Sequence, residues 1–145
     1  MQYQSSTGVE ETSGTEIKSS GPGGSWSIQN SVFFFAGDTG YSKDFIDLGN
    51  KFEGFGLAAI PIGAYSPRWF MKQKHIKPEE AVKIHQDIDS RYSVAIHWGT
   101  FAMADEPVDE PPKLLEDALA QKGISNEHFF VMQHGETRSL QFLLR

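Results

Sequence analysis

Val32-Phe33-Phe34-Phe35-Ala36-Gly37-Asp38-Thr39-Gly40 is the stretch from which the rest of this chain is best read. Five apolar residues in a row, closed by a glycine, are short for a helix and right for a strand. With no polar residue alternating among them, the spacing predicts a strand covered on both faces, as in a parallel sheet. A carboxylate stands directly after it. A charge leaving a buried strand needs a partner, because burying an unpaired one is very costly.

Working outward, the same grammar repeats. Upstream, Ser25-Trp26-Ser27-Ile28 alternates as a strand does, and Asn30-Ser31 is turn-like, so the two segments read as a hairpin. Downstream, Ser42 can cap a helix running to Phe52, with Phe45, Leu48, Gly49 and Phe52 at helical spacing. Leu57 to Pro61 reads as a second buried strand, and Gly63 to Ile76 as a long irregular loop. Pro78-Glu79-Glu80 opens a helix reaching His85, with proline in the first turn and acids near the positive end of the dipole. Tyr92 to Ile96 is a third buried strand, ending at His97. An acidic, proline-rich loop follows, then a helix from Pro112 to Lys122 stopped by Gly123, and a last strand over Phe129 to Met132. The order β-β-α-β-α-β-α-β predicts a layered α/β fold.

Composition narrows the function classes. At 145 residues the chain is one domain by default. Residues 1–23 are a polar leader rich in Ser, Thr, Gly and Glu, expected to be disordered, with the folded domain over 24–145. The net charge of −6 argues against nucleic acid as a partner. The absence of cysteine removes disulfide and thiolate chemistry and leaves His and carboxylates as the metal ligands available. No signal peptide or membrane-spanning run is visible, so the expected place is cytoplasmic or peripheral to a membrane.

The chemistry gathers at strand ends. Asp38 follows the first buried strand, Gly63-Ala64-Tyr65 the second, and His97-Trp98-Gly99 the third. Ligand sites in open α/β sheets collect at the carboxyl ends of strands. Asp38 and His97 are therefore candidate metal ligands. The alternatives are that Asp38 caps the next segment through backbone N–H groups and that His97 is a core histidine with a satisfied ring. The Gly63–Ile76 loop sets Arg68, Lys72, Lys74 and His75 beside Tyr65, Trp69 and Phe70, a mixture suited to a phosphate with an apolar tail. The competing reading is a solvated loop whose aromatics pack inward. His85, His128 and His134 read as packing or surface residues. Asp105 to Glu110 reads as a solvated acidic linker that lacks the glycine turn of an EF-hand loop.

Longer blocks carry a resemblance. Phe33-Phe34-Phe35-Ala36-Gly37-Asp38-Thr39-Gly40-Tyr41, Ala59 through Lys72, Pro78-Glu79-Glu80-Ala81-Val82, Ala95-Ile96-His97-Trp98-Gly99-Thr100-Phe101 and Gln133 through Arg138 run in one order. The chain resembles the N-acyl-phosphatidylethanolamine-hydrolysing phospholipase D family of the metallo-β-lactamase superfamily, over about Gly24 to Leu140. The resemblance implies the C-terminal half of an αβ/βα sandwich, one sheet-plus-helix layer pair. It implies a two-zinc centre, with Asp38 bridging and His97 terminal. It implies a catalytic His75 near the substrate phosphate, and Arg68, Trp69, Lys72 and Lys74 as substrate-binding residues. The implied activity is release of N-acylethanolamine and phosphatidic acid from the lipid. The implied partners are a phospholipid substrate, a membrane surface and a second copy in a dimer.

Two departures shape the expectation. The His-x-His-x-Asp-His cluster of the superfamily is absent, and Lys74 stands before His75 where a glutamine is expected. Two ligands fall short of the roughly three that a catalytic zinc takes from its protein. The chain is therefore expected to be a C-terminal piece of such an enzyme with little activity alone. The alternatives are a non-catalytic partner of a full-length enzyme and a related metal-dependent hydrolase of another phosphodiester or a lactone. Half a sandwich should also leave an apolar sheet face uncovered along Phe33–Phe35 and Val94–Ile96, at about 25 cal/mol per Å² of burial forgone.

Overall fold

The computed structural model describes residues 25–28 and 31–140. The expectation for residues 1–23 lies outside them.

A five-stranded sheet runs in chain order: β1 (Ser25–Ile28), β2 (Ser31–Phe35), β3 (Phe55–Pro61), β4 (Ser90–Ile96) and β5 (Phe129–Phe130). β1 and β2 form the antiparallel hairpin, with Ser25 opposite Phe34 and Ile28 opposite Ser31. The remaining neighbours are parallel. Helices α1 (Asp44–Phe52), α3 (Pro78–Asp87) and α4 (Glu110–Lys122) link successive parallel strands. Strands laid down in order with crossovers of one hand put every helix on the same face of the sheet. The core follows from that. Phe34, Ala58, Ile60 and Ala95 from the strands pack with Phe45 of α1, Ala81, Val82 and Ile84 of α3, and Leu115 and Leu119 of α4.

The apolar run of β2 is thus buried on one face only. Phe34 is 2% exposed and Phe35 45%. Phe33, Leu57, Val94 and Ile96 share the second face with Phe35 through the parallel register and are half-buried. The anticipated open face falls on alternate residues, because successive side chains of a strand point to opposite sides.

Local details explain the element ends. Ser42 Oγ accepts the backbone N–H of Asp44 at 3.3 Å, though the first residue before α1 is Lys43. Glu80 accepts the Lys77 N–H at 3.0 Å and so closes the start of α3 behind Pro78. α4 begins at Glu110, earlier than expected, because Pro111 and Pro112 fit a first turn that needs no N–H donors. It stops at Gly123, whose φ of 65° is the left-handed conformation glycine adopts freely. β5 pairs only through Phe129 and Phe130, so Val131 and Met132, expected in this strand, fall outside it. The loop after β3 holds a short helix, α2 (Arg68–Met71), that no periodicity in the sequence announced.

Candidate metal centre

The parallel register carries the strand ends to one edge. Phe35 pairs with Ala59, and Pro61 with Ile96. The chain then turns at each end. Gly37 has φ of 64°, and His97 itself has φ of 60°. Left-handed backbone in a non-glycine residue is a strained state that clusters at functional sites. Gly63, at the end of β3, sits so close to the His97 carbonyl that an added Cβ would lie 2.3 Å from that oxygen. A side chain at this position would push the His97 backbone away.

These turns bring Asp38, His75 and His97 together. Asp38 Oδ1 and His97 Nε2 are 3.3 Å apart, an ion pair whenever His97 carries a proton. The His75 and His97 rings lie 5.2 Å between centroids, tilted by 33°. One ligand atom from each of the three residues falls within 4.8 Å of the others. Zinc bonds of about 2.1 Å in a tetrahedron set ligand atoms about 3.4 Å apart, so the Asp38–His97 spacing already suits a shared cation. His75 Nδ1 is buried and has no hydrogen-bond partner. Burial holds its imidazole below the ordinary range; Asp38 opposes that shift and His97 adds to it. The ring is thereby kept in the neutral form that metals bind. The donor set of one carboxylate and two imidazoles fits zinc-like cations.

A scaffold holds His75 in place. Arg68 donates to the His75 carbonyl oxygen at 2.7 Å, and its other terminal nitrogen reaches both oxygens of Glu80 at 3.1 and 2.8 Å. Arg68 is therefore committed within the protein, not presented to a ligand as expected. Trp69 is 86% exposed and Phe70 66%, so of the aromatics of this loop only Tyr65 packs inward. Lys72 and Lys74 are exposed beside them. Asp38, His75 and His97 converge, whereas Trp69 and Lys72 are exposed to solvent.

The acidic loop corrects a second expectation. Glu106 is not a solvated linker residue. One of its oxygens accepts the N–H groups of Ala64 at 2.5 Å and Tyr65 at 3.1 Å, and the other accepts Ser66 at 2.9 Å. Glu110 accepts the Tyr65 hydroxyl at 2.5 Å. Burial, then that hydrogen bond, pushes the Tyr65 hydroxyl above its ordinary range. The segment after His97 is thus fastened to the segment after β3. Between them lies a pocket of about 260 Å³, lined by Gly63, His97, Thr100, Phe101, Met103 and Val108 among others. Nothing in a lone Glu among acids announces such a role, since its donors are some forty residues away.

His85, expected to pack or lie at the surface, is a buried packing residue. Its Nδ1 meets Ser93 Oγ at 2.8 Å. His134 is exposed, with Nε2 3.3 Å from Thr100 Oγ1, and His128 is exposed with its ring 5.8 Å from that of Tyr92.

Comparison with known proteins agrees with the geometry. The sequence profile described as "Beta-lactamase superfamily domain" matches residues 5–98. The chain is 42% identical over 119 residues to N-acyl-phosphatidylethanolamine-hydrolyzing phospholipase D 1 of Caenorhabditis elegans, covering 77% of this chain and 33% of that protein. It is 40% identical over 110 residues to the mitochondrial phospholipase D of the same description from Saccharomyces cerevisiae, covering 74% of this chain and 23% of that protein. The chain therefore spans a third or less of these relatives. Among solved structures, a metallo hydrolase of Ignicoccus hospitalis superposes with a TM-score of 0.60 at 22% identity, over 83% of this chain and 46% of that one. An isothiocyanate hydrolase from Delia radicum gut bacteria gives 0.62 at 15% identity, over 80% of this chain and 42% of that one. Both show a shared fold.

Proposed function

The chain belongs to the beta-lactamase superfamily, and from that premise we propose that it carries part of a zinc-dependent, phospholipase D-type site for N-acyl-phosphatidylethanolamine, with N-acylethanolamine and phosphatidic acid as products. The observation that supports this most is the 3.3 Å approach of Asp38 and His97 at the carboxyl edge of the sheet. The identity to the worm and yeast phospholipases supports the choice of substrate.

Asp38 and His97 would hold the cation. A divalent cation held there supplies positive charge against the negative charge that grows on a phosphoryl group during displacement. The chain's own residues do the rest. Arg68 and Glu80 fix the backbone that carries His75. Glu106 fixes Ala64 to Ser66, so the pocket wall beside His97 keeps its shape. That wall is largely apolar through Phe101, Met103 and Val108, which suits an acyl chain.

A membrane surface is the partner this reading needs, and the lipid is drawn from it. The exposed Trp69 and Phe70 beside Lys72 and Lys74 match an interface of apolar groups under anionic headgroups. The family resemblance adds self-association as a dimer. Among the described residues no helix is long and apolar enough to cross a membrane.

The sequence lacks the His-x-His-x-Asp-His cluster. The test is therefore release of N-acylethanolamine, followed by mass spectrometry, from the chain alone and from the chain mixed with the part of the worm relative that this chain does not cover. Turnover in the mixture that is lost in Asp38→Asn supports the proposal. Absence of turnover in both overturns it. Hydrolysis of a lactone or a simpler phosphodiester in its place moves the reading to a related hydrolase.

A further inference from the structure

The geometry points to Tyr41 as a positioning residue for Asp38, one that ties the turn after β2 to the last residue of α3. The inference rests on the reading of Asp38 given above, and takes its support from contacts away from the metal centre itself.

Asp38 has little of its own to hold it. Its side chain is 66% exposed, and among the described residues its carboxylate makes no hydrogen bond or ion pair beyond the one with His97. A ligating carboxylate is ordinarily oriented by partners of its own. Here the restraint comes through the backbone that follows. The Gly40 carbonyl accepts the Thr39 hydroxyl at 2.7 Å, and a Cβ added at Gly40 would lie 2.6 Å from the Gln73 carbonyl oxygen. The turn is thus wedged against the segment that leads into His75. Tyr41 then closes it. Its ring packs on the core beside Phe45, with 6.2 Å between centroids, and its hydroxyl donates to Asp87 Oδ2 at 2.6 Å. Lys83, one turn earlier on α3, donates to that same hydroxyl and, at 2.9 Å, to the same carboxylate oxygen.

Nothing in α3 itself asks for Asp87. An anion in the last turn opposes the helix dipole, where a cation is favoured. The Asp87 side chain is only 15% exposed, and burying a carboxylate is costly unless donors meet it. Tyr41 and Lys83 are such donors. The same helix holds His75 through Glu80, which fixes Arg68, which in turn donates to the His75 carbonyl. Glu80 and Asp87 are seven positions apart, so they lie on one face of α3, about 10.5 Å along its axis. α3 therefore sets the spacing between the Asp38 turn and the His75 turn, with Tyr41 as one clamp and Arg68 as the other.

The experiment compares the wild type with Tyr41→Phe, which keeps the ring and removes the hydroxyl. Relaxation of ¹⁵N in the metal-free chain gives the order parameters of Asp38, Thr39 and Gly40, and competition with a chromophoric chelator gives zinc affinity. The expected result is a fall in those order parameters from about 0.85, the value of rigid backbone, to below about 0.6. Zinc should bind roughly 10–100-fold more weakly, the usual consequence of losing an outer partner. Asp87→Ala, which removes the acceptor, should reproduce both changes. Phe45→Leu, which loosens the packing and keeps the hydroxyl contact, should lower the urea midpoint and leave both readouts alone. Order parameters unchanged in Tyr41→Phe, or equally reduced in Phe45→Leu, overturn the inference. So does zinc affinity that neither Tyr41→Phe nor Asp87→Ala moves. Order parameters that fall in a chain whose wild type takes up no zinc sustain the clamp and overturn the proposed centre instead.

Discussion

Arg68 and Glu80 form a fork between two helices. One guanidinium nitrogen reaches both carboxylate oxygens, at 3.1 and 2.8 Å, while the other donates to the His75 carbonyl. Both side chains are mostly buried, at 29% and 19% exposed, so screening by water is modest. Arg68→Ala should lower stability by about 2 kcal/mol, the scale of hydrogen bonds to charged groups. Arg68→Lys should not restore it, because an ammonium is a point donor and cannot span the fork. Urea midpoints of the three proteins check this. Equal midpoints for the wild type and the lysine variant would show that the fork contributes nothing beyond its charge.

Glu106 should matter through geometry more than charge. Glu106→Ala leaves the N–H groups of Ala64, Tyr65 and Ser66 without their acceptor, at about 1–3 kcal/mol. Glu106→Gln keeps one acceptor oxygen and should recover part of the loss. Hydrogen exchange at those three amides is the direct measurement. Protection unchanged in Glu106→Ala would mean that other groups hold the turn.

Acid should weaken the fold through His85. Burial disfavours its charged ring, nearby His128 adds repulsion, Asp89 opposes it, and the net effect pushes it down to about 4 from an ordinary 6.5. The folded state therefore binds this proton more weakly than the unfolded chain. The stabilising contribution is complete above about pH 6.5 and is lost as the pH falls toward about 4. At 1.36 kcal/mol per unit, the loss amounts to about 3 kcal/mol. His85→Gln should flatten the decline when denaturation is followed between about pH 7.5 and 4.5. A wild type and variant with parallel pH profiles would assign the decline to carboxylates.

The Trp69-Phe70 pair should govern lipid contact. Sedimentation with anionic phosphatidylserine vesicles should pull down the wild type at low salt, and Trp69→Ala/Phe70→Ala should lose most of that binding. Lys72→Glu/Lys74→Glu should lose it as well, and added salt should mimic that change. Binding that ignores all four residues would place the membrane-facing surface elsewhere.

Much of the architecture was legible in the sequence, for a physical reason. Buried strands of a parallel sheet are short apolar runs, and Phe33–Phe35, Leu57–Pro61 and Val94–Ile96 announce themselves. Pro78 and Gly123 mark helix ends by fixing or freeing one dihedral. Asp38 and His97 were visible as polar residues ending such runs. Other features had no local signature. α2 spans only Arg68–Met71, too short for a helical period to register. Glu106 finds its donors across the fold, so its sequence neighbourhood of acids pointed to solvent. Arg68 looked free in the sequence because Glu80, its partner, lies in another helix. The half-covered state of Phe35 was hidden too, since an apolar run does not say how many layers cover it.

That half-covered face bears on the site at the sheet's edge. Phe35 and Ile96 lie on it, at the ends of the strands that deliver Asp38 and His97. If an apolar cover over Phe33, Phe35, Leu57, Val94 and Ile96 restrains those ends, and a cation between Asp38 and His97 restrains them from the other direction, the two share one ordering cost. Linkage would then be reciprocal: whatever factor the cover contributes to cation affinity, the cation returns to the affinity of the cover.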